Sequence, residues 1–307
     1  MPKFSVSKSI VIDSSLEQVF DYVRDFKNWS DWSPWGVAEP DCSLTYDSDG
    51  KGYQWNGKII GSGSMKIIGE TRPSQIDYDL QFLKPWKSQA DVSFFFKSVD
   101  GGVEATWTLD SSLPFFMFFM KNMMTVMVGM DYERGLLMLK DRMEKGYVPS
   151  KLSFGSEKVE PIHYLGVTST CSTDQIGQSM ESDFGKMREM INKTGIEPLG
   201  PPLAIYHKFD LVKKTTLYTL GFPVGASTEA PTGFVLGDIP STKAYTVTHT
   251  GPYHHLHNAW AAGMMRSRAK VFKSRRDVRP FEIYTNDPEN VPEDEIETVV
   301  YFPEKES

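Results

Sequence analysis

The chain has 307 residues, 40% of them hydrophobic, and its 33 Lys and Arg against 40 Asp and Glu give a formal net charge of −7. That length and apolar content suffice for two buried cores of ordinary domain size, while scattered basic residues in an acidic chain argue against nucleic acid, which needs a concentrated basic face. The two cysteines, Cys42 and Cys171, offer neither a disulfide framework nor zinc spacing, and residues 1–10 hold no signal-peptide core, so a cytoplasmic location is expected.

Phe4 to Ile12 alternates as an edge strand would, and Ser14 with Glu17 has the spacing of a capping box ahead of a helix bearing Leu16, Val19, Phe20 and Val23. Beyond Trp29, Trp32 and Trp35, turn signals at Asp49-Gly50, Gly61 to Gly63, Arg72-Pro73, Lys84-Pro85 and Asp100 to Gly102 divide the chain into strands of one antiparallel sheet. Leu113 to Met130 is very apolar, but Lys121, Asn122 and Gly129 interrupt it and it falls short of the roughly 20 residues a bilayer requires. It reads as a loop and helix lining a cavity, not as a membrane span. Tyr132, Leu136, Leu139 and Met143 then mark the apolar stripe of a long helix.

A sheet curled around such a helix leaves a space between them. Trp55, Tyr78, Phe82, Phe94 and Trp107, together with Tyr53, Trp86, Phe96 and the Phe115 to Met130 segment, are candidates for its wall, and each is also a candidate for ordinary core. Met117, Met120, Met123, Met124, Met127 and Met130 would make that lining adaptable, because a thioether chain is flexible and polarizable. No histidine precedes His163 and no Ser/His/Asp set occurs here, so this half points to binding, not catalysis.

Residues 1–146 resemble the START-like superfamily in its polyketide-cyclase/dehydrase-like (SRPBCC) branch. The resemblance is carried by Val19 to Trp29, the Trp29/Trp32/Trp35 triplet with Ser33-Pro34, Gly61 to Met65, Tyr78 to Pro85, Val103 to Thr108 and Glu133 to Leu139. It implies an α+β helix-grip domain, a curved antiparallel sheet around a long C-terminal helix, with a deep apolar pocket. It implies no particular reaction.

Residues 147–157 have the Gly, Pro and Ser content of a linker, and a second domain is expected over 158–307. Val159 to Thr170 reads as a strand, Ser172 with Gln175 as a capping box, and Ile176, Met180, Phe184, Met187 and Ile191 as a helix stripe ending at Gly195. Pro202 to Tyr206 followed by Thr216 to Pro223 is echoed by Pro280 to Tyr284 followed by Thr298 to Pro303, an internal duplication. The second copy opens with Lys243 to His249, turns at Thr250 to Tyr253 and enters a helix bearing Leu256, Trp260 and Met264. Two such units, each too small to bury a core alone, should pair about a pseudo-twofold axis whose seam is a natural ligand cleft. Arg266 to Arg276 reads as a solvated helix end and loop, and His254, His255 and His257 as a solvated helix start without the third ligand that zinc would want. No metal, nucleotide or other cofactor is expected.

This second half is similar to the gyrase-inhibitor-like family, the effector-binding domain of AraC- and MerR-type activators. The matching phrases are His249 to Tyr253, Pro280 to Pro288 and Tyr301 to Pro303, with Gly200 to Tyr206 and Gly221 to Val224 as first-copy partners. The resemblance implies a pseudosymmetric, duplicated βαββ domain whose aromatic cleft accepts small molecules, often cationic and hydrophobic; some standalone relatives are hydrolases. Tyr206, Tyr253, Trp260, Tyr284 and Tyr301 could supply the ring faces. Many relatives carry an acid four positions before the strand-terminal proline, where this chain has Val299; Glu282 and Glu297 are the substitutes, with Glu282 assigned to either face of its strand. The expected function is a carrier, sequestration or sensor module with two pockets for hydrophobic or amphipathic small molecules and no DNA-binding segment ahead of the second half. The alternative is an enzyme, a cyclase/dehydratase in the first half or a hydrolase in the second, using Glu282 or Glu297 with Tyr253 or Tyr284; a protein partner is a third option. Binding in both halves requires that each enclose usable empty volume.

Overall fold

The computed structural model describes residues 3–113, 115–211 and 213–305, with only the backbone of residues 115–117, so the expectations for the Phe115, Phe116 and Met117 side chains lie outside the described residues. The chain divides into two units, Met1–Pro149 and Ser150–Ser307. Among the described residues no helix is long and apolar enough to cross a membrane.

The first unit contains strands β1 (Lys3–Ile12), β2 (Ser43–Tyr46), β3 (Gly52–Asn56), β4 (Ser62–Thr71), β5 (Gln75–Lys84), β6 (Ser88–Val99) and β7 (Gly102–Ser112), with helices α1 (Leu16–Arg24) and α2 (Lys121–Lys145). The strands form one antiparallel sheet in the order β1-β7-β6-β5-β4-β3-β2, a meander closed at one edge by β1. Each turn signal read from the sequence falls at a junction of consecutive strands in this meander, with Gly63, Lys84 and Gly102 already inside β4, β5 and β7. The capping box of α1 falls one residue later than expected, with Ser15 as N-cap and Gln18 reaching back, because the preceding strand runs to Ile12 and leaves Ser14 in the turn.

Helix α2 carries its predicted stripe inward: Tyr132, Leu136 and Leu139 are buried. Gly135 permits that approach, since a Cβ there would lie 2.9 Å from the Trp107 ring and 3.1 Å from Pro34. Tyr132 stacks on Trp107 with centroids 3.8 Å apart. The tryptophan-rich segment is tied to the same helix, Trp35 Nε1 donating to Asp131 at 3.2 Å and Arg134 donating to the Pro34 carbonyl at 3.1 Å.

The second unit contains β8 (Lys151–Val159), β9 (Ile162–Ser172), α3 (Ile176–Thr194), β10 (Leu203–Asp210), β11 (Thr215–Pro223), β12 (Val235–Ile239), β13 (Thr242–Thr250), α4 (His257–Arg268), β14 (Phe281–Tyr284) and β15 (Glu297–Glu304). Its single sheet runs β12-β9-β11-β10-β14-β15-β13-β8. The order is symmetric about the β10/β14 contact: β9-β11-β10 mirrors β13-β15-β14, and each copy's leading strand crosses to flank the other copy, β8 beside β13 and β12 beside β9. The duplicated unit is therefore ββαββ, one strand longer than the repeat read from the sequence. Residues 151–157, expected as linker, belong to that extra strand; their Gly155 and Ser156 hide an edge strand that is buried at neither position.

Candidate functional site: the seam of the duplicated unit

The register at the seam locates the axis. Leu203 pairs with Ile283, Ala204 with Glu282 and Ile205 with Phe281, so the pair Ala204/Glu282 joins equivalent positions of the two copies. The Tyr206 amide donates to the Pro280 carbonyl at 3.1 Å and the Tyr284 amide to the Pro202 carbonyl at 3.0 Å, the same contact made twice by symmetry. Glu282 thus stands on the axis, with a methyl group where a second carboxylate would be.

Residues directly paired across strands share a face of the sheet, which settles the question alternation left open. Glu282, Tyr284 and their partners Val300 and Thr298 on β15, with Ala204 and Tyr206 on β10, face helices α3 and α4. The Glu282 side chain is 1% exposed. Its Oε2 accepts from the Tyr206 hydroxyl at 3.0 Å and the Tyr284 hydroxyl at 2.7 Å, and its Oε1 accepts from Trp260 Nε1 of α4 at 2.5 Å. All three partners are neutral donors. Burial raises the Glu282 pKa above 4.5, and the three hydrogen bonds act against that shift. Burial, then the Glu282 charge, holds both phenols far above their usual range, so they remain donors.

Aromatic rings enclose this carboxylate. Trp260 meets Tyr206 edge-on at 4.8 Å, Phe184 of α3 meets Tyr284 at 5.6 Å, and Tyr253, 41% exposed, meets Tyr284 at 6.0 Å. The Tyr253 hydroxyl is pushed up to about 12, chiefly by burial and then by the Glu282 charge. Phe209 joins through a β-bulge: the register slips between Tyr206 and Lys208, so Phe209 instead of Lys208 shares the face of Tyr206, stacking on it at 5.0 Å and meeting Trp260 at 5.6 Å. A buried acid lies beside the cluster, Asp183 of α3, to which Tyr218 donates at 2.8 Å and Lys186, on the other oxygen, at 2.6 Å.

Several expected site residues are not brought here. Tyr301 and Glu297 sit on the opposite face of β15, Tyr301 stacked on Phe281 at 4.6 Å and Glu297 accepting from Thr285 at 3.1 Å; period-two alternation separates both from Glu282. His249 is fully buried and donates to or accepts from Ser150 at 3.1 Å. Burial first, and then His255 and His254, depress its pKa to about 3, so it is a neutral core histidine. His255 is buried as well, unlike the solvated helix start expected of it. Phe184, Phe209, Met180, Tyr218 and Asp183 were missed as site residues. Phe184 and Met180 were legible as a helix stripe, but which stripe faces the seam is a tertiary fact.

In the first unit most of the predicted wall residues face inward but meet each other, whereas Trp86, Phe118 and Phe119 are exposed and line no interior. Trp107 stacks on Phe94 at 5.0 Å as well as on Tyr132, Trp29 lies 5.8 Å from Tyr78, and Trp55 lies over Gly63, where a Cβ would come within 2.4 Å of its ring. Phe82 packs edge-on against Trp55 at 5.9 Å, and Met120 and Met124 pack against the same cluster. Rings at such separations are in van der Waals contact, so these described side chains pack against one another as core. An open groove of about 510 Å³ elsewhere on this unit is lined by Ser14, Glu17, Gln18, Asp21, Tyr22, Asp25, Asn28 and Met143, and includes none of them.

Among solved structures, the chain is similar to the EcmrR C-terminal domain, at 17% identity and a TM-score of 0.44, over 51% of this chain and 99% of that one. It is also similar to SAV2435, solved bound to tetraphenylphosphonium, at 11% identity and a TM-score of 0.40, over 50% and 94% of the two chains. A third, the Aha1 dimer from Colwellia psychrerythraea, shares 18% identity at a TM-score of 0.35, over 47% and 98%. A search of curated proteins returns no match. Residues 3–144 match the family described as polyketide cyclase / dehydrase and lipid transport, and residues 156–305 match the GyrI-like small molecule binding domain, so the two halves carry one match each, in tandem.

Proposed function

We propose that the protein is a cytoplasmic carrier, sequestration or sensor module that binds amphipathic cations at the Glu282 seam of its second unit. One observation carries this reading: a carboxylate 1% exposed, on the pseudo-twofold axis, whose hydrogen-bond partners Tyr206, Tyr284 and Trp260 are all neutral. A buried anion without a countercharge is costly, and a desolvated cation over ring faces is the group that offsets it. Tyr253 and Phe209, 41% and 42% exposed, are the rings past which such a ligand would enter. The packed rings of the first unit leave the reading resting on the second, with a small molecule as partner in place of nucleic acid.

The test is a titration with tetraphenylphosphonium, a permanently charged lipophilic cation, beside neutral triphenylphosphine oxide. Glu282→Gln should weaken cation binding by about tenfold or more, roughly 1.4 kcal/mol, and leave the neutral compound almost unaffected. Equal losses for both compounds, or no saturable binding by the parent, would sink the proposal. A second reading, hydrolysis with Glu282 as proton acceptor near Tyr253, draws support from the raised Glu282 pKa. It requires turnover in the parent that Glu282→Gln abolishes while neutral ligand binding persists.

A further inference from the structure

The first unit carries an exposed apolar feature at one end of its sheet that the Glu282 site does not use. Phe82 pairs with Ser88 to close the β5/β6 hairpin, and Ala90 pairs with Ser111 on β7, whose next residue, Ser112, pairs with Lys3. The hairpin tip and the 3₁₀ segment Phe115–Met120 that follows β7 therefore leave the sheet from the same end. Both present large apolar side chains to solvent: Leu83 is 52% and Trp86 45% exposed at the tip, and Phe118 is 60% and Phe119 72% exposed in the segment. Large apolar side chains exposed together at one end of a sheet are candidates for an interaction surface.

Its charge pattern indicates the kind of partner. Lys84 and Lys87 flank Trp86, Lys121 follows Phe119, and no acidic residue occurs from Leu80 to Ala90 or from Leu113 to Met130, although the chain as a whole has a net charge of −7. Exposed phenylalanines and a tryptophan interleaved with lysines in two acid-free stretches of sequence match a lipid–water interface, where rings enter the headgroup region and ammonium groups stay with anionic phosphates. We propose that this end of the first unit docks reversibly on anionic lipid surfaces, with Phe118, Phe119, Leu83 and Trp86 inserting and Lys84, Lys87 and Lys121 meeting the headgroups. The inference is independent of the Glu282 reading, which concerns the other unit.

The experiment is co-sedimentation of the full chain with vesicles of phosphatidylcholine alone and of phosphatidylcholine containing about a third phosphatidylserine. The parent should partition onto the mixed vesicles and lose that binding in high salt, because the lysine contribution is screened. Phe118→Ser with Phe119→Ser should lower partitioning by about tenfold or more, with an unchanged circular dichroism spectrum, since both side chains are largely exposed. Lys84→Glu with Lys87→Glu, a second route that leaves every ring in place, should lower it by roughly fivefold per lysine on the mixed vesicles alone. Failure of the parent to bind, binding by the phenylalanine variant equal to the parent's, or equal binding to both vesicle types would overturn the proposal. So would concentration-dependent self-association without lipid that the phenylalanine variant abolishes, since the surface would then belong to a second copy of this chain.

Discussion

Glu282 shows how much one buried charge can decide. Its carboxylate keeps three hydrogen bonds, yet desolvation remains the largest influence and its folded pKa lies above 4.5. The fold therefore favours the protonated acid: this group's contribution to stability is fully present below pH 4.5 and is lost as pH rises through the raised value. Whenever the group is ionised, its burial makes that form costly, and a bound cation would offset the cost. For a ligand whose own charge does not titrate, affinity should fall as pH is lowered through the window above 4.5, where Glu282 takes up its proton. Calorimetric titration with tetraphenylphosphonium across that window checks this, and a parent profile as flat as that of Glu282→Gln would remove the carboxylate from the binding step.

At the scale of elements, the seam depends on how closely α4 lies on its sheet. Ala259, Ala262 and Gly263 are all fully or nearly buried, and a Cβ on Gly263 would come within 2.1 Å of the Phe302 ring. That ring cannot swing away cheaply, since Trp260 lies 5.4 Å and Phe272 5.9 Å from its centre. Gly263→Ala should therefore cost about 2 kcal/mol through overpacking, measured by urea unfolding, and should also weaken cation binding by displacing Trp260 from Glu282. Phe302→Leu in the same chain should restore part of the loss; no recovery would mean that the glycine serves something other than this contact. The helix itself was legible from Leu256, Trp260 and Met264, and so were the strands of both duplicated phrases. The bulge at His207 was not, because strict alternation assigns Lys208 to the face that a one-residue slip gives to Phe209. Glu297 and Tyr301 were misplaced for a related reason: their strand was read correctly, but its pairing with β14 fixes which side meets the helices, and pairing partners are not written in local sequence.

Over the whole molecule, the two families were legible because their signatures are runs of residues in order, whereas the exchange of leading strands was not. β8 and β12 each belong in sequence to one copy and in space to the other, and both are edge strands with weak patterning. β12 buries only Ile239 and β8 only Val159. Yet β8 pairs with β13 along its whole length, from Lys151 opposite Thr250 to Val159 opposite Thr242. It also places Phe154 opposite Val247, where the guanidinium of Arg266 on α4 lies 3.5 Å above the Phe154 ring. A fragment of residues 150–307 should then unfold cooperatively in urea, because it contains every strand of its sheet. A fragment of residues 160–307, which keeps both βαββ repeats read from the sequence but lacks β8, should lose several kcal/mol and expose the β13 edge to aggregation. If the shorter fragment were as stable as the longer, β8 would be an appendage and the duplicated unit would be the smaller one. If it fails as expected, each half of the pseudosymmetric sheet is completed by a strand from the other. The seam that holds Glu282 between Tyr206 and Tyr284 would then be pinned from both outer edges as well as along its own axis.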